Sequence, residues 1–267
     1  MRYSNLHTHT VFSDGKHSPE DNVLSAIEKN MVSLGFSDHS YAELQTAYCI
    51  PKDSIPAYID EIRRLQKQYA EQIEIYLGVE YDGFSQLENR ELYDYILGDC
   101  HCLNVGGKQL IVDNSREEQL SNIRDYYGND KMAYAKAYFD TYVQSVQRIQ
   151  PNILGHIDLL TKFNVFDEAD PAYRNLAFDA LHASLKVTPL IEMNTGAMSR
   201  RFKETPYPAP FLLKEILAQG GKIVLNSDSH NKDHLTFYFD ESIEILKSVG
   251  FKHIVQLQGG KFVEVGI

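Results

Sequence analysis

Seven short apolar runs, each ending in a side chain that can bind a metal ion or accept a proton, recur along the chain with helical patterns between them. They are Leu6–Thr10 with His7 and His9, Ser33–Ser40 with Asp38 and His39, and Ile73–Asp82 with Glu80. Tyr95–Cys102 follows with His101, Ile153–Leu160 with His156 and Asp158, Pro189–Gly196 with Glu192 and Asn194, and Lys222–His230 with Asp228 and His230. Strands that alternate with helices are buried in parallel sheets. In such sheets the C-terminal strand ends open on one face, so residues far apart in sequence become neighbours there. The pattern therefore predicts an α/β fold with one polar cleft.

The intervening segments fit this reading. Ser18-Pro19-Glu20-Asp21 carries a capping serine, a proline at the first helical position and acids in the first turn, and predicts a helix to about Asn30. From Asp53 to Tyr69, Ile55, Tyr58, Ile59, Ile62, Leu65 and Tyr69 fall at three- and four-residue spacings on one face. Further helices are predicted from Lys131 to about Gln150, Pro171 to about Leu185, near Pro208 to Gly220-Gly221, and Asp240 to about Val249. His182 is expected to be a packing or surface histidine. Residues 104–130 lack clear periodicity and read as an irregular insertion over the site, and Ile254–Leu257 with Phe262–Val265 reads as a small hairpin. No repeat or linker divides the chain, so a single domain is expected over residues 1–267.

Composition narrows the function. A net charge of −11 argues against a broad basic surface that holds nucleic acid. No apolar run approaches the roughly 20 residues of a membrane span, and the first residues lead straight into the first strand with no room for a signal peptide. Three cysteines, Cys49, Cys100 and Cys102, are too few for a disulfide framework, which makes a reducing cytoplasm the expected compartment. Strand alternation sets Cys100 and Cys102 on the face opposite His101, where they pack as small hydrophobes.

The chemistry follows from the ligand types. In an extended segment His7 and His9 point the same way, making a two-imidazole pair. Imidazole and carboxylate donors without thiolate suit zinc, manganese or divalent iron. About nine candidates share the cleft where a single catalytic zinc needs three protein ligands, so the inventory is enough for two or three ions. A metal-dependent hydrolase is the expectation.

The stretches His7-Thr8-His9-Thr10 with Ser13-Asp14-Gly15, Ser37-Asp38-His39, Gly78-Val79-Glu80, His101, Gly155-His156-Ile157-Asp158-Leu159, Glu192-Met193-Asn194-Thr195-Gly196 and Ser227-Asp228-Ser229-His230 resemble the polymerase-and-histidinol-phosphatase (PHP) family. The resemblance is to its free-standing histidinol-phosphatase members and extends over nearly the whole chain. It implies a distorted seven-stranded (β/α) barrel of the TIM type and three divalent metal ions, zinc, manganese or iron. His7, His9, Glu80 and Asp228 would hold the first ion, and Glu80, as a bridge, would hold the second with His101 and His156. Asp14, His39 and His230 would hold the third, with His17 competing for the place of Asp14. Glu80, Asp228 and His230 are the residues expected at the catalytic centre.

Three doubly charged ions against three carboxylates leave a charge of about +3, which attracts a phosphate dianion despite the acidic surface. Arg200, Arg201 and Lys162 are candidates to grip the phosphate. His17, Glu192 and Asn194 are further substrate-binding candidates, and Asp82, Asp158 and Glu192 are acids able to meet an ammonium. The implied reaction is hydrolysis of L-histidinol phosphate to L-histidinol in histidine biosynthesis, on a small phosphorylated substrate without nucleic acid or membrane. The alternatives are another PHP phosphoesterase acting on nucleotides or nucleic-acid ends, and a non-catalytic metal-stabilised module.

Overall fold

A computed structural model describes residues 1–43, 47–85 and 89–267. Its strands are β1 (Ser4–Asn5), β2 (Ser33–Phe36), β3 (Glu74–Asp82), β4 (Tyr95–Asp99), β5 (Cys102–Val105), β6 (Lys108–Ile111), β7 (Ile153–Leu154), β8 (Leu190–Asn194), β9 (Lys222–Asn226), β10 (His253–Gln258) and β11 (Lys261–Gly266). The helices are α1 (Pro19–Glu28), α2 (Ile55–Gln68), α3 (Arg116–Tyr127), α4 (Lys131–Ile149), α5 (Pro171–Leu185), α6 (Gly196–Ser199), α7 (Pro210–Ala218) and α8 (Phe239–Val249). The main sheet has the order β1-β2-β3-β4-β7-β8-β9-β10-β11. It is parallel up to β10, and β11 returns antiparallel on β10.

This sheet curls into an incomplete barrel. Its seam is bridged near the C-terminal strand ends, where the His9 amide donates to the Ser229 carbonyl at 2.9 Å and the Ser229 amide to that of His7 at 3.1 Å. Below the bridge, the Asn226 side chain accepts from the Leu6 amide at 2.9 Å. Leu6, Tyr76, Tyr95, Leu97, Ile153, Leu190, Val224, Val255 and Leu257 form one buried apolar cluster inside the curl. Tyr95 lies across Gly78 and Gly35, where an added Cβ would fall 2.2 and 2.4 Å from the tyrosine, and its hydroxyl donates to the Leu6 carbonyl at 2.6 Å. Only glycine lets that ring cross two neighbouring strands.

Helix ends follow the sequence signals. Ser18 caps α1 by accepting from the Asp21 amide, and the Asp21 carboxylate accepts in return from the Ser18 amide. In α2 the buried face is Tyr58, Ile62 and Leu65, at the predicted spacing. In α4 Asp130 accepts from the amides of Met132 and Ala133, and Tyr134, Tyr138, Tyr142 and Val146 make a buried row four residues apart.

Two expectations are corrected. Residues 104–130 are not irregular: they complete the β5–β6 hairpin, turned at Gly106-Gly107, and form α3. The Gly-Gly pair is a hairpin turn signal, and Ser115 with Glu117 and Glu118 a helix start, but α3 is too polar to show an apolar period. The strands are also shorter than expected: β7 ends at Leu154, so His156 and Asp158 sit on the loop beyond it, and β1, β2, β4 and β9 end at Asn5, Phe36, Asp99 and Asn226, so His7, His9, Asp38, His39, His101, Asp228 and His230 likewise sit beyond their strands. The tail hairpin is present as expected, and its first strand extends the sheet beside β9.

Candidate metal centre

At the C-terminal ends of the strands lies a cavity of about 680 Å³, walled by Asp14, His39, Glu80, His101, His156, Asp228 and His230 together with Arg200, Lys162 and Asp113. Its floor is built around Glu80, which the bridge His39↔Glu80 places beside the end of β2. The Glu80 carboxylate lies 2.9 Å from His39 Nδ1, 3.0 Å from His156 Nε2, 3.2 Å from His7 Nε2, 3.4 Å from His9 Nε2 and 3.7 Å from His101 Nε2. Asp228 lies 3.2 Å from His9 Nε2 and 3.5 Å from His230 Nδ1, and Asp14 3.1 Å from His230 Nε2 and 3.8 Å from His39 Nε2.

Four overlapping groups have ligand atoms all within 4.8 Å of one another: His9, Asp14, His39 and His230; Glu80, Asp99, His101 and His156; His7, His156 and Asp228; and His7, His9 and Glu80. These buried atoms fit cations for a second reason. Among the described residues His7 Nε2, both ring nitrogens of His9, His101 Nδ1 and His156 Nδ1 are sealed from solvent without a hydrogen-bond partner. Each such group left unpaired costs roughly 1–3 kcal/mol, and a bound cation relieves that cost for several at once.

Ionisation follows from mutual contact. Burial works against the charge of Glu80, yet His39 and His7 outweigh it and hold the carboxyl well below its usual range. Asp228 is likewise buried and is held low by Arg200 and His7. For His9, burial, reinforced by His230 and His39, pushes the imidazole down to about 3, leaving it neutral and able to ligate.

The outer shell orients the ligands. His7 Nδ1 lies 2.9 Å from Glu192 Oε2, and the His156 amide donates to Glu192 Oε1 at 2.8 Å. Asp38 accepts from the Thr10 amide at 2.7 Å and from the Ser13 hydroxyl at 2.5 Å, tying down the loop that carries Asp14.

Several expected site residues are placed elsewhere. Glu192 and Asn194 are fully buried beneath the cluster, where Asn194 Nδ2 donates to Glu192 at 2.9 Å, so neither reaches substrate. His17 is off the cavity wall, its Nδ1 accepting from the Lys232 amide at 3.3 Å, while Asp14 occupies the ligand group. Arg200 lines the cavity, with Nη2 3.0 Å from Asp228 and Nη1 2.8 Å from His230 Nδ1. Arg201 takes a left-handed turn, φ 63°, and is exposed off the wall. Lys162 lines the cavity but is paired with Asp113 at 2.9 Å. Asp82 and Asp158 are buried and accept from the amides of His101 and Ala209, which removes them as acids at the mouth.

Two residues were missed. Asp113 comes with the β5–β6 hairpin, whose Gly-Gly turn was the signal. Asp99 shares strand parity with His101, the alternation already used to set Cys100 and Cys102 apart. Those cysteines and Cys49 are buried, form no disulfide among the described residues and lie outside the ligand groups, and His182 is a surface residue 2.6 Å from Glu215.

Residues 5–196 match the PHP domain family model, which places the Asp228 and His230 segment beyond the matched stretch. The chain is 27% identical to a "probable histidinol-phosphatase" of Deinococcus radiodurans, over 92% of this chain and 93% of the relative. It is 25% identical to the histidinol-phosphatase of Bacillus subtilis, over 91% of this chain and 99% of that protein. Among solved structures, histidinol phosphate phosphatase of Lactococcus lactis, complexed with zinc, L-histidinol and phosphate, superimposes with a TM-score of 0.72 at 21% identity, covering 98% of this chain and 99% of that one. Among the described residues no helix is long and apolar enough to cross a membrane.

Proposed function

The chain belongs to the PHP domain family, and from that membership we propose that it is a metal-dependent phosphomonoesterase that hydrolyses L-histidinol phosphate to L-histidinol and phosphate. The observation that carries the reading is the convergence of His7, His9, Asp14, His39, Glu80, His101, His156, Asp228 and His230 on one cleft with a partly exposed guanidinium, that of Arg200, in its wall. The relatives named histidinol-phosphatase align along nearly the full chain, and one bears zinc, histidinol and phosphate.

We assign three divalent ions to these donors. Glu80, central to the cluster, would be shared; His7, His9 and Asp228 would hold one ion with it, His101 and His156 a second, and Asp14, His39 and His230 a third. When bound, such ions supply Lewis-acid chemistry, acidifying water and offsetting charge on the phosphoryl oxygens. The protein supplies the rest. Glu192 accepts from His7 Nδ1, which leaves Nε2 with its lone pair toward the cluster. Arg200, turned toward Asp228 and His230 at the cavity wall, brings positive charge to the cleft that favours a phosphate dianion. The cavity volume of about 680 Å³ suits a small phosphomonoester, not a polynucleotide groove.

The test is phosphate release by the manganese- or zinc-loaded protein from a panel of phosphomonoesters that includes histidinol phosphate and mononucleotides. Histidinol phosphate should give the highest kcat/KM by at least about tenfold, and elemental analysis should approach three ions per chain. A preference for mononucleotides would overturn the substrate, and one ion at full activity would overturn the trinuclear assignment.

A further inference from the structure

At the end of β4 the Asp99 side chain is completely buried, and neither carboxylate oxygen has a hydrogen-bond partner. It does not face an apolar wall. Its ligand atom lies within 4.8 Å of those of Glu80, His101 and His156, and its Oδ1 is 3.4 Å from His101 Nδ1. Space for it is built in: on the neighbouring loop Gly155 stands where an added Cβ would come 3.2 Å from the Asp99 Cβ and 2.6 Å from Leu97 Cδ2. A buried carboxylate beside a second one, with only the edge of the His101 imidazole at 3.4 Å to offer a donor, is unstable unless a cation or a proton compensates it.

The pairing favours a cation. Asp99-x-His101 repeats the spacing of Asp228-x-His230, and in both pairs the carboxylate lies beside its histidine at the cluster, 3.4 Å from His101 Nδ1 and 3.5 Å from His230 Nδ1. We propose that Asp99 is a protein ligand, beside Glu80, His101 and His156, to the ion on that side of the cluster. The assignment rests on reading the cleft as a metal centre. It gives that ion two carboxylates and two imidazoles, a closed set of the kind that retains metal firmly.

Asparagine separates the two ways of compensating Asp99, because its amide can replace a protonated acid that donates to Glu80 but not a carboxylate that binds an ion. Metal-free wild type and Asp99→Asn are loaded with zinc and dialysed against graded chelator, with zinc content read by elemental analysis. The variant should release one ion at more than about 100-fold lower chelator strength than the wild type, beyond the range of outer-shell changes, and hold the others unchanged. Its metal-free melting temperature should stay level or rise, since an uncompensated buried charge has been removed. Equal retention by both proteins overturns the assignment. So does a crystal structure of zinc-loaded wild type in which Asp99 lies beyond the roughly 2.0–2.2 Å of a zinc–carboxylate bond from every ion. If the wild type itself retains no zinc, the metal-centre reading fails instead.

Discussion

Glu192 Oε2 and His7 Nδ1 stand 2.9 Å apart, and neither side chain has any exposure to solvent. The same carboxylate accepts from the His156 amide at 2.8 Å and from the side-chain amides of Asn194 and Asn226, each at 2.9 Å. One acid from β8 thus fixes an imidazole after β1, the backbone after β7 and an amide on β9. Replacement by Ala removes the acceptor of four buried donors, and the fold should lose at least about 3 kcal/mol by chemical denaturation. Glu192→Gln keeps the shape but presents an amide in place of a carboxylate, and zinc affinity measured by chelator competition should fall about 10- to 100-fold. Unchanged affinity in the Gln variant would show that His7 needs no such partner.

Glu80 is the point where the ligand sets meet. Its replacement by Gln removes the charge that faces His39, His156 and His7 at 2.9, 3.0 and 3.2 Å. Metal content and phosphatase activity should fall together, by more than the roughly 10- to 100-fold typical of outer-shell changes. Near-normal activity in this variant would place the shared ligand elsewhere.

Proton competition should be visible at His39. Burial lowers its affinity for a proton, but Glu80 and Asp14 more than offset this and raise the metal-free imidazole from 6.5 to about 9. Ligation requires the neutral ring, so zinc binding should tighten as pH rises from about 7 toward 9, with protons released on binding. Metal-free stability has the opposite slope. The folded value lies above the unfolded one, so this contribution is complete below about 6.5 and is lost as pH rises through about 9. Calorimetric titrations in buffers of different ionisation enthalpy, with melting curves of the chelated protein, measure both slopes. A zinc affinity that stays flat over this range contradicts the account.

The two adjacent arginines should separate cleanly. Arg200 is on the cavity wall and Arg201 is exposed off it. Arg200→Ala should cost about 10- to 100-fold in kcat/KM, with partial recovery in Arg200→Lys. Arg201→Ala should match the wild type, and inorganic phosphate should inhibit the Arg200→Ala protein more weakly. A large loss at Arg201 with none at Arg200 would reverse the assignment.

Much of this architecture was legible because strand ends and helix starts carry local signals: the capping box at Ser18, the spacing of Tyr58, Ile62 and Leu65, and the acids and histidines closing each apolar run. What local pattern does not encode is depth. Glu192 and Asn194 are spaced like mouth residues, yet β8 places them below the cluster, where they serve His7 and His156 rather than substrate. Nor does a sequence show which of two neighbouring residues turns outward. The left-handed backbone at Arg201 decides that, and arginine has no preference for such a conformation that would announce it. His17 and Asp14 are close in sequence, but Gly15 packs against the His9 backbone and only Asp14 stays with the histidines.

The bridged seam bears on how the chain is made. His7 and His9 are synthesised well before Ser229, which bonds to their backbone, and before Asp228 and His230, which complete their ligand groups. Until the later stretch has been made the nascent chain therefore offers scattered imidazoles and carboxylates but no finished cage. Contacts of such long sequence separation form slowly and late. On the metal-centre reading proposed above, the cage can close only after both sides of the seam exist, so the amount of active protein should respond to metal supply after that point rather than before it.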